Sequence, residues 1–197
     1  CDRFAFRAEV RSEMRAAYGL DGQFVVGHVG HFTAAKNHEK ILRVFAALCR
    51  RRQDAALLLV GDGELEADVR RMAQELEIAD RVVFAGAMQD VERTYQAMDV
   101  FLFPSRYEGF GMAVVEAQAS GLACVASDVV PEETNASGRV TYLPLRAPDA
   151  AWAEAVLSAP ARETDGRSAE TVKALYDIQS VAQTLCAIYC REMGGCT

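Results

Sequence analysis

The chain has 197 residues, half of them apolar and a quarter charged, with a formal net charge of −7. Those proportions fit one large globular domain or two small ones, and the acidic balance argues against an electrostatic hold on nucleic acid, which needs a basic surface. No apolar run is long enough to span a bilayer and no secretory leader opens the chain, so a cytoplasmic protein is expected.

In chain order, CDRFAF reads as an entry linker and residues 7–18 (RAEVRSEMRAAY) as a charged amphipathic helix closed by Gly19. FVVGHV (24–29) predicts a buried strand, with a helix from about 37 to 51 behind it. ALLLVG (56–61) and a helix over 65–77 follow, then RVVFAG (81–86) and a short helix near 91–98. VFLFP (100–104) leads into a helix over 111–120, and LACVAS (122–127) and RVTYLP (139–144) give a fifth and a sixth strand. Helices over 148–159 and 177–193 close the chain. In the last of these, Ile178, Val181, Leu185, Ile188 and Tyr189 form an apolar stripe that packs on its own domain or on something outside the chain.

Continuous β-branched and leucine runs, rather than alternating ones, predict strands covered on both faces. Regular strand–helix alternation makes the fold class α/β, a parallel, doubly wound, Rossmann-like sheet. The organisation expected is a single domain over 1–197. Residues 1–20 form the linker and lead-in helix, 21–176 the core, and 177–197 a C-terminal helix. The six cysteines (1, 49, 124, 186, 190 and 196) form no Cys-x-x-Cys pair. Cys49 and Cys124 sit in apolar segments as small hydrophobes. Cys186 and Cys190 lack neighbouring histidines for zinc. A reducing compartment without disulfides follows, and there the sequon at Asn135 is expected to stay unmodified.

Ligands of an open doubly wound sheet bind beyond the carboxyl ends of its strands. The loop after the fourth predicted strand lies within FPSRYEGFGMAVVEAQASG (103–121), with two carboxylates, Glu108 and Glu116, around a glycine-rich corner. Gly109 and Gly111 permit a tight turn and close approach to a ligand. A helix starting near Gly111 offers the amides of Gly111, Met112 and Ala113 and a positive dipole end, which suits a diphosphate. Glu116 lies roughly 7 Å along that helix. In a run of small and apolar residues it needs a polar partner. Two carboxylates flanking a phosphate site suit two polyhydroxy groups, a ribose and a hexose.

PSRYEGFGMAVVEAQASGLACVASD resembles the Glu-x7-Glu signature of retaining glycosyltransferases of the two-Rossmann-domain GT-B fold, specifically family four. GHVGHFTAAKNHEKIL is similar to the phosphate-binding segment of that family, and LLLVGDGELEADVRRMAQELEIADRVVFAG to its middle section. AMDVFLFPS and the CDRFAF linker also fit, so the resemblance covers nearly the whole chain. The KNH version is similar to enzymes of capsular and exopolysaccharide assembly, which mostly use UDP-sugars. The resemblance implies that Glu116 binds the ribose hydroxyls and Glu108 the donor sugar. Gly109 and the amides from Phe110 to Met112 and Ala113 would hold sugar and diphosphate. Lys36 would hold the diphosphate, and the backbone at Ala87 and Met88 the base. His31 stands where the family carries arginine. An imidazole titrates near neutrality, whereas a guanidinium stays charged and forks onto phosphate. Weaker or pH-dependent donor binding is therefore expected.

Catalysis by Lys36, Glu108 and the helix amides would stabilise charge growing on the diphosphate. It would need no metal and no cofactor beyond the nucleotide-sugar substrate, and it would retain anomeric configuration at the front face. The resemblance makes this chain the C-terminal donor half. Its expected partners are a missing N-terminal acceptor domain and a glycan or lipid-linked acceptor, with membrane contact at the inner face only through that half. A nucleotide-sugar epimerase of the same fold and a non-catalytic sugar-nucleotide sensor are the alternatives. A dinucleotide dehydrogenase is weaker: VVGHVG carries only two of three glycines, at 27 and 30, and no acidic residue ends the second strand. His28 is expected to face a loop, His38 to sit in a first helical turn, and Trp152 to be packing.

Overall fold

A computed structural model describes residues 2–177 together with 182, 186 and 189. Six strands, β1 (Phe24–Val29), β2 (Ala55–Val60), β3 (Val82–Gly86), β4 (Val100–Phe103), β5 (Ala123–Ser127) and β6 (Val140–Leu143), form one sheet in the order β3-β2-β1-β4-β5-β6. Every pairing is parallel. The helices are α1 (Ala8–Tyr18), α2 (His38–Cys49), α3 (Glu66–Glu75), α4 (Val91–Ala97), α5 (Met112–Ala119), α6 (Asp149–Leu157) and α7 (Arg167–Tyr176). The expected α/β class holds. Each predicted strand is present within a residue or two of its expected limits.

Strand residues alternate between two cores, which is why the runs are apolar throughout. Val25, Leu58, Phe101, Phe103 and Cys124 enter the core beneath α1, α4, α5 and α7. Val26, Leu57, Leu59, Leu102 and Val125 enter the core shared with α2, α3 and α6, where Trp152 is wholly buried. Gly27 has a packing role, because a Cβ there would lie 2.0 Å from the Met98 sulfur.

Two differences from the sequence reading matter. Asn37 is left-handed (φ 57°), so α2 begins at His38. Helix α7 was not expected: its buried residues are only Ser168 and Val172, too few to show a helical period. The predicted final helix lies outside the described residues, apart from isolated positions such as Tyr189.

The lead-in helix belongs to the domain. Three arginines converge on the orphan carbonyls that end α4. Arg11 donates to Gln96 and Met98, Arg15 to Ala97, and Arg162 to Tyr95, Gln96 and Met98, at 2.8–3.0 Å. Asp99 pairs with Arg11 at 2.5 Å and with Arg15 at 2.6 Å.

Candidate functional site

The strand order reverses between β1 and β4, and the loops leaving these two strands are stitched together. The Arg106 amide donates to the Ala35 carbonyl at 2.7 Å, and the Asn37 side-chain amide to the Pro104 carbonyl at 3.0 Å. Across this seam the Lys36 ammonium meets Glu108 Oε1 at 2.6 Å, the two side chains being 23% and 8% exposed. The ammonium also lies 4.9 Å from the Phe103 ring centre. The two residues assigned from sequence to diphosphate and sugar therefore hold one another.

Beneath Lys36 the floor is uncharged. His28 is fully buried, contrary to the expectation that it faces a loop, and packs against both Phe101 and Phe103, which also stack on each other. Its Nδ1 lies 3.0 Å from the Leu102 carbonyl, which can only accept, so that nitrogen carries the proton. His38 meets the His28 ring edge-on at 4.9 Å and stacks on Phe32. Burial, reinforced by His38 and Lys36, holds His28 far below the usual histidine range. Burial, with Lys36 nearby, lowers His38 to about 4.

Helix α5 starts as expected beside this pair. Gly111 has φ 90°, which a side chain disfavours, and its Cβ would crowd Val130 at 3.2 Å. No side chain caps the helix, so the first-turn amides of Met112 and Ala113 remain available. Gly109 and Met112 are exposed, and Phe110 packs edge-on against Tyr176 at 5.6 Å. Glu116 is half-buried and not a solvated residue. The Tyr95 hydroxyl donates to its Oε2 at 2.9 Å, and burial raises its pKa while that bond and Arg3 oppose the rise.

The remaining candidates have other partners. His31 is 79% exposed, and its Nδ1 lies 2.9 Å from Asp62 on the loop after β2. Ala87 and Met88 are exposed beyond β3, the edge strand, with Met88 touching Tyr18 of α1. A cavity of about 440 Å³ opens on the other side of the 33–39 turn, between Asn37, His38 and Arg106 and the α3 residues Val69 and Met72. Neither Glu116 nor the start of α5 lines it. Among the described residues no three His, Cys, Asp or Glu side chains converge as a cation-binding group. Sequence reasoning missed Tyr95, Asp62 and Tyr176. Each contributes through a partner from another element, and only the strand order brings these together.

A family described as Glycosyl transferases group 1 matches residues 10–143. EpsF of Bacillus subtilis (strain 168), named as a glycosyltransferase, is 36% identical over 191 residues, covering 94% of this chain and 50% of that one. Alpha-D-kanosaminyltransferase of Streptomyces kanamyceticus is 31% identical over 195 residues, covering 93% and 50%. Among solved structures, Anabaena Alr3699/HepE in complex with UDP and glucose matches with a TM-score of 0.80 at 19% identity, over 95% of this chain and 54% of that one. Sucrose-phosphate synthase from Thermosynechococcus elongatus matches with a TM-score of 0.77 at 25% identity, over 98% and 50%. The chain thus spans about half the length of the curated relatives named here.

Proposed function

The chain belongs to the glycosyl transferases group 1 family, and from that premise we propose that it is the donor-binding half of a retaining, metal-independent hexosyltransferase using a nucleotide-diphosphate sugar, most simply a UDP-sugar. The observation that carries this reading is the meeting of Lys36 and Glu108 at the point where the strand order reverses, in front of the uncapped start of α5. Ligands of this fold bind in that crevice, and a helix start attracts phosphate. The solved HepE complex with UDP and glucose supports the choice of ligand.

Transfer breaks the bond between the anomeric carbon and the diphosphate oxygen, and negative charge gathers on the departing diphosphate. Lys36 and the amides of Phe110 to Ala113 stabilise that charge, so the donors needed are supplied by protein. His31 adds one donor in place of the usual arginine fork. Glu108 accepts hydroxyl protons of the hexose and positions it, Glu116 accepts those of the ribose, and the backbone at Ala87 and Met88 holds the base. Without ligand, Lys36 and Glu108 neutralise each other. A donor parts them because its diphosphate takes the ammonium while its hexose takes the carboxylate.

The acceptor is a growing glycan or a lipid-linked sugar held by an N-terminal half, which also makes any contact with the inner membrane face. The whole enzyme works in the cytoplasm. No described helix is long and apolar enough to cross a membrane. The relatives carry transferase or synthase names, which gives the epimerase and sensor readings no support. The dehydrogenase reading loses its glycine, since Gly27 makes room for Met98.

Titration of UDP, GDP and ADP against this chain, repeated with Glu116→Ala, tests the proposal. Selective UDP binding, weakened about tenfold or more in the variant, is expected, with little or no sugar transfer by the chain alone. Binding of NAD in preference to all three, or nucleotide binding indifferent to Glu116, would overturn it.

A further inference from the structure

Glu116 is the one acid in α5, among the buried residues Val114, Val115, Ala117 and Ala119. A carboxylate turns readily about its last torsion, so in such surroundings something has to fix its plane if it is to recognise a pair of hydroxyls. The Tyr95 ring is wholly buried between Phe4, at 6.0 Å, and Phe101, at 5.7 Å. Its backbone carbonyl is held by Arg162 at 2.8 Å. Ring and backbone thus have no freedom to follow the carboxylate; the carboxylate conforms to them.

The phenol has one proton. Its acceptors are Glu116 Oε2 at 2.9 Å and, more weakly, the Ala113 carbonyl at 3.4 Å. Burial and the nearby carboxylate hold the phenol well above its ordinary range, so it remains a donor at neutral pH. Among the described residues no hydrogen bond reaches the other oxygen, Oε1. One oxygen is pinned by the phenol, and the other has no such partner among the described residues.

Resting on the reading of Glu116 as the ribose acceptor, we propose that Tyr95 is its positioning residue: the buried phenol fixes the carboxylate plane so that Oε1 faces the vicinal hydroxyls of the nucleotide. Tyr95 touches no substrate. It acts by preorganising a group that does. The entry linker takes part, since Phe4 is one of the two rings that confine Tyr95.

The test compares UDP, GDP and ADP with their 2′,3′-dideoxy counterparts by calorimetry on the wild-type chain and on Tyr95→Phe and Glu116→Gln. For the nucleotide that binds, wild type is expected to prefer the ribose form about tenfold or more, as for hydrogen bonds to a charged group. Tyr95→Phe is expected to cut that preference to about threefold while leaving dideoxy binding unchanged. A structural role for Tyr95 would weaken both forms alike, and that result overturns the proposal. Loss of the preference in Glu116→Gln but not in Tyr95→Phe also overturns it, while leaving the ribose reading in place. A wild-type chain indifferent to the hydroxyls overturns both. Should Tyr95→Phe fail to fold, 3-fluorotyrosine at position 95 keeps ring and donor. Its fluorine resonance is expected to move with the ribose nucleotide and not with the dideoxy form, and an identical response to the two would overturn the inference.

Discussion

Lys36 and Glu108 form a half-buried ion pair, and on the proposed function a diphosphate competes with the carboxylate for the ammonium. On the proposed function, Glu108→Gln frees the ammonium and removes the hexose acceptor together. UDP is therefore expected to bind about three- to tenfold more tightly to the variant, while a UDP-sugar binds about tenfold more weakly, both read by calorimetry. A variant in which both ligands weaken together would contradict that account. At His31 the expectation concerns the missing guanidinium fork: on the proposed function, donor affinity read by calorimetry should rise in His31→Arg, and equal affinities in the two proteins would dismiss the idea. The acids and the glycine corner were legible because their spacing along one strand–loop–helix segment is local, and the lysine because its own segment after β1 carries a family pattern. Their partners were not. Tyr95 reaches Glu116 from another helix, and Asp62 reaches His31 from a neighbouring strand's loop, and no spacing within a segment encodes either contact.

At the scale of elements, strand runs were readable because burial on both faces leaves no polar positions to blur them. Helix α7 escaped because its exposed face dominates its composition. The end of α4 shows what sequence patterns conceal. Arg11, Arg15 and Arg162 look like surface charges in a linear reading, yet Arg162 alone caps carbonyls from α4 and, at 2.6 Å, the Ser120 carbonyl after α5. Truncating it leaves the Ser120 carbonyl without that donor and halves the arginine donors to Gln96 and Met98. Arg162→Ala is expected to cost about 3 kcal/mol, well beyond an exposed arginine, and urea unfolding would show it as a lower midpoint at unchanged slope. The two helices it secures are those carrying Tyr95 and Glu116, so nucleotide affinity should fall with it.

For the molecule as a whole, the paired buried histidines set an acid limit. His38 is lowered from 6.5 to about 4 by burial, and burial holds His28 well below the usual histidine range. A base whose proton affinity drops on folding contributes stability above its unfolded value, and that stability is lost as pH falls through the folded one. Between pH 6.5 and about 4, His38 alone should withdraw about 3 kcal/mol. Urea titrations at successive pH values should show this decline, shallower in His38→Phe, and parallel curves for the two proteins would rule the cause out. The expected topology was legible as a class, but the placement of β1 beside β4 was not, and it is this adjacency that makes a site from two loops about seventy residues apart. On the proposed function the resting contact between those loops has a second use. Once the hexose has departed, a spent nucleotide occupies Lys36 with nothing left to occupy Glu108. The carboxylate can then reclaim its ammonium and displace the by-product, so each turnover empties the crevice for the next donor.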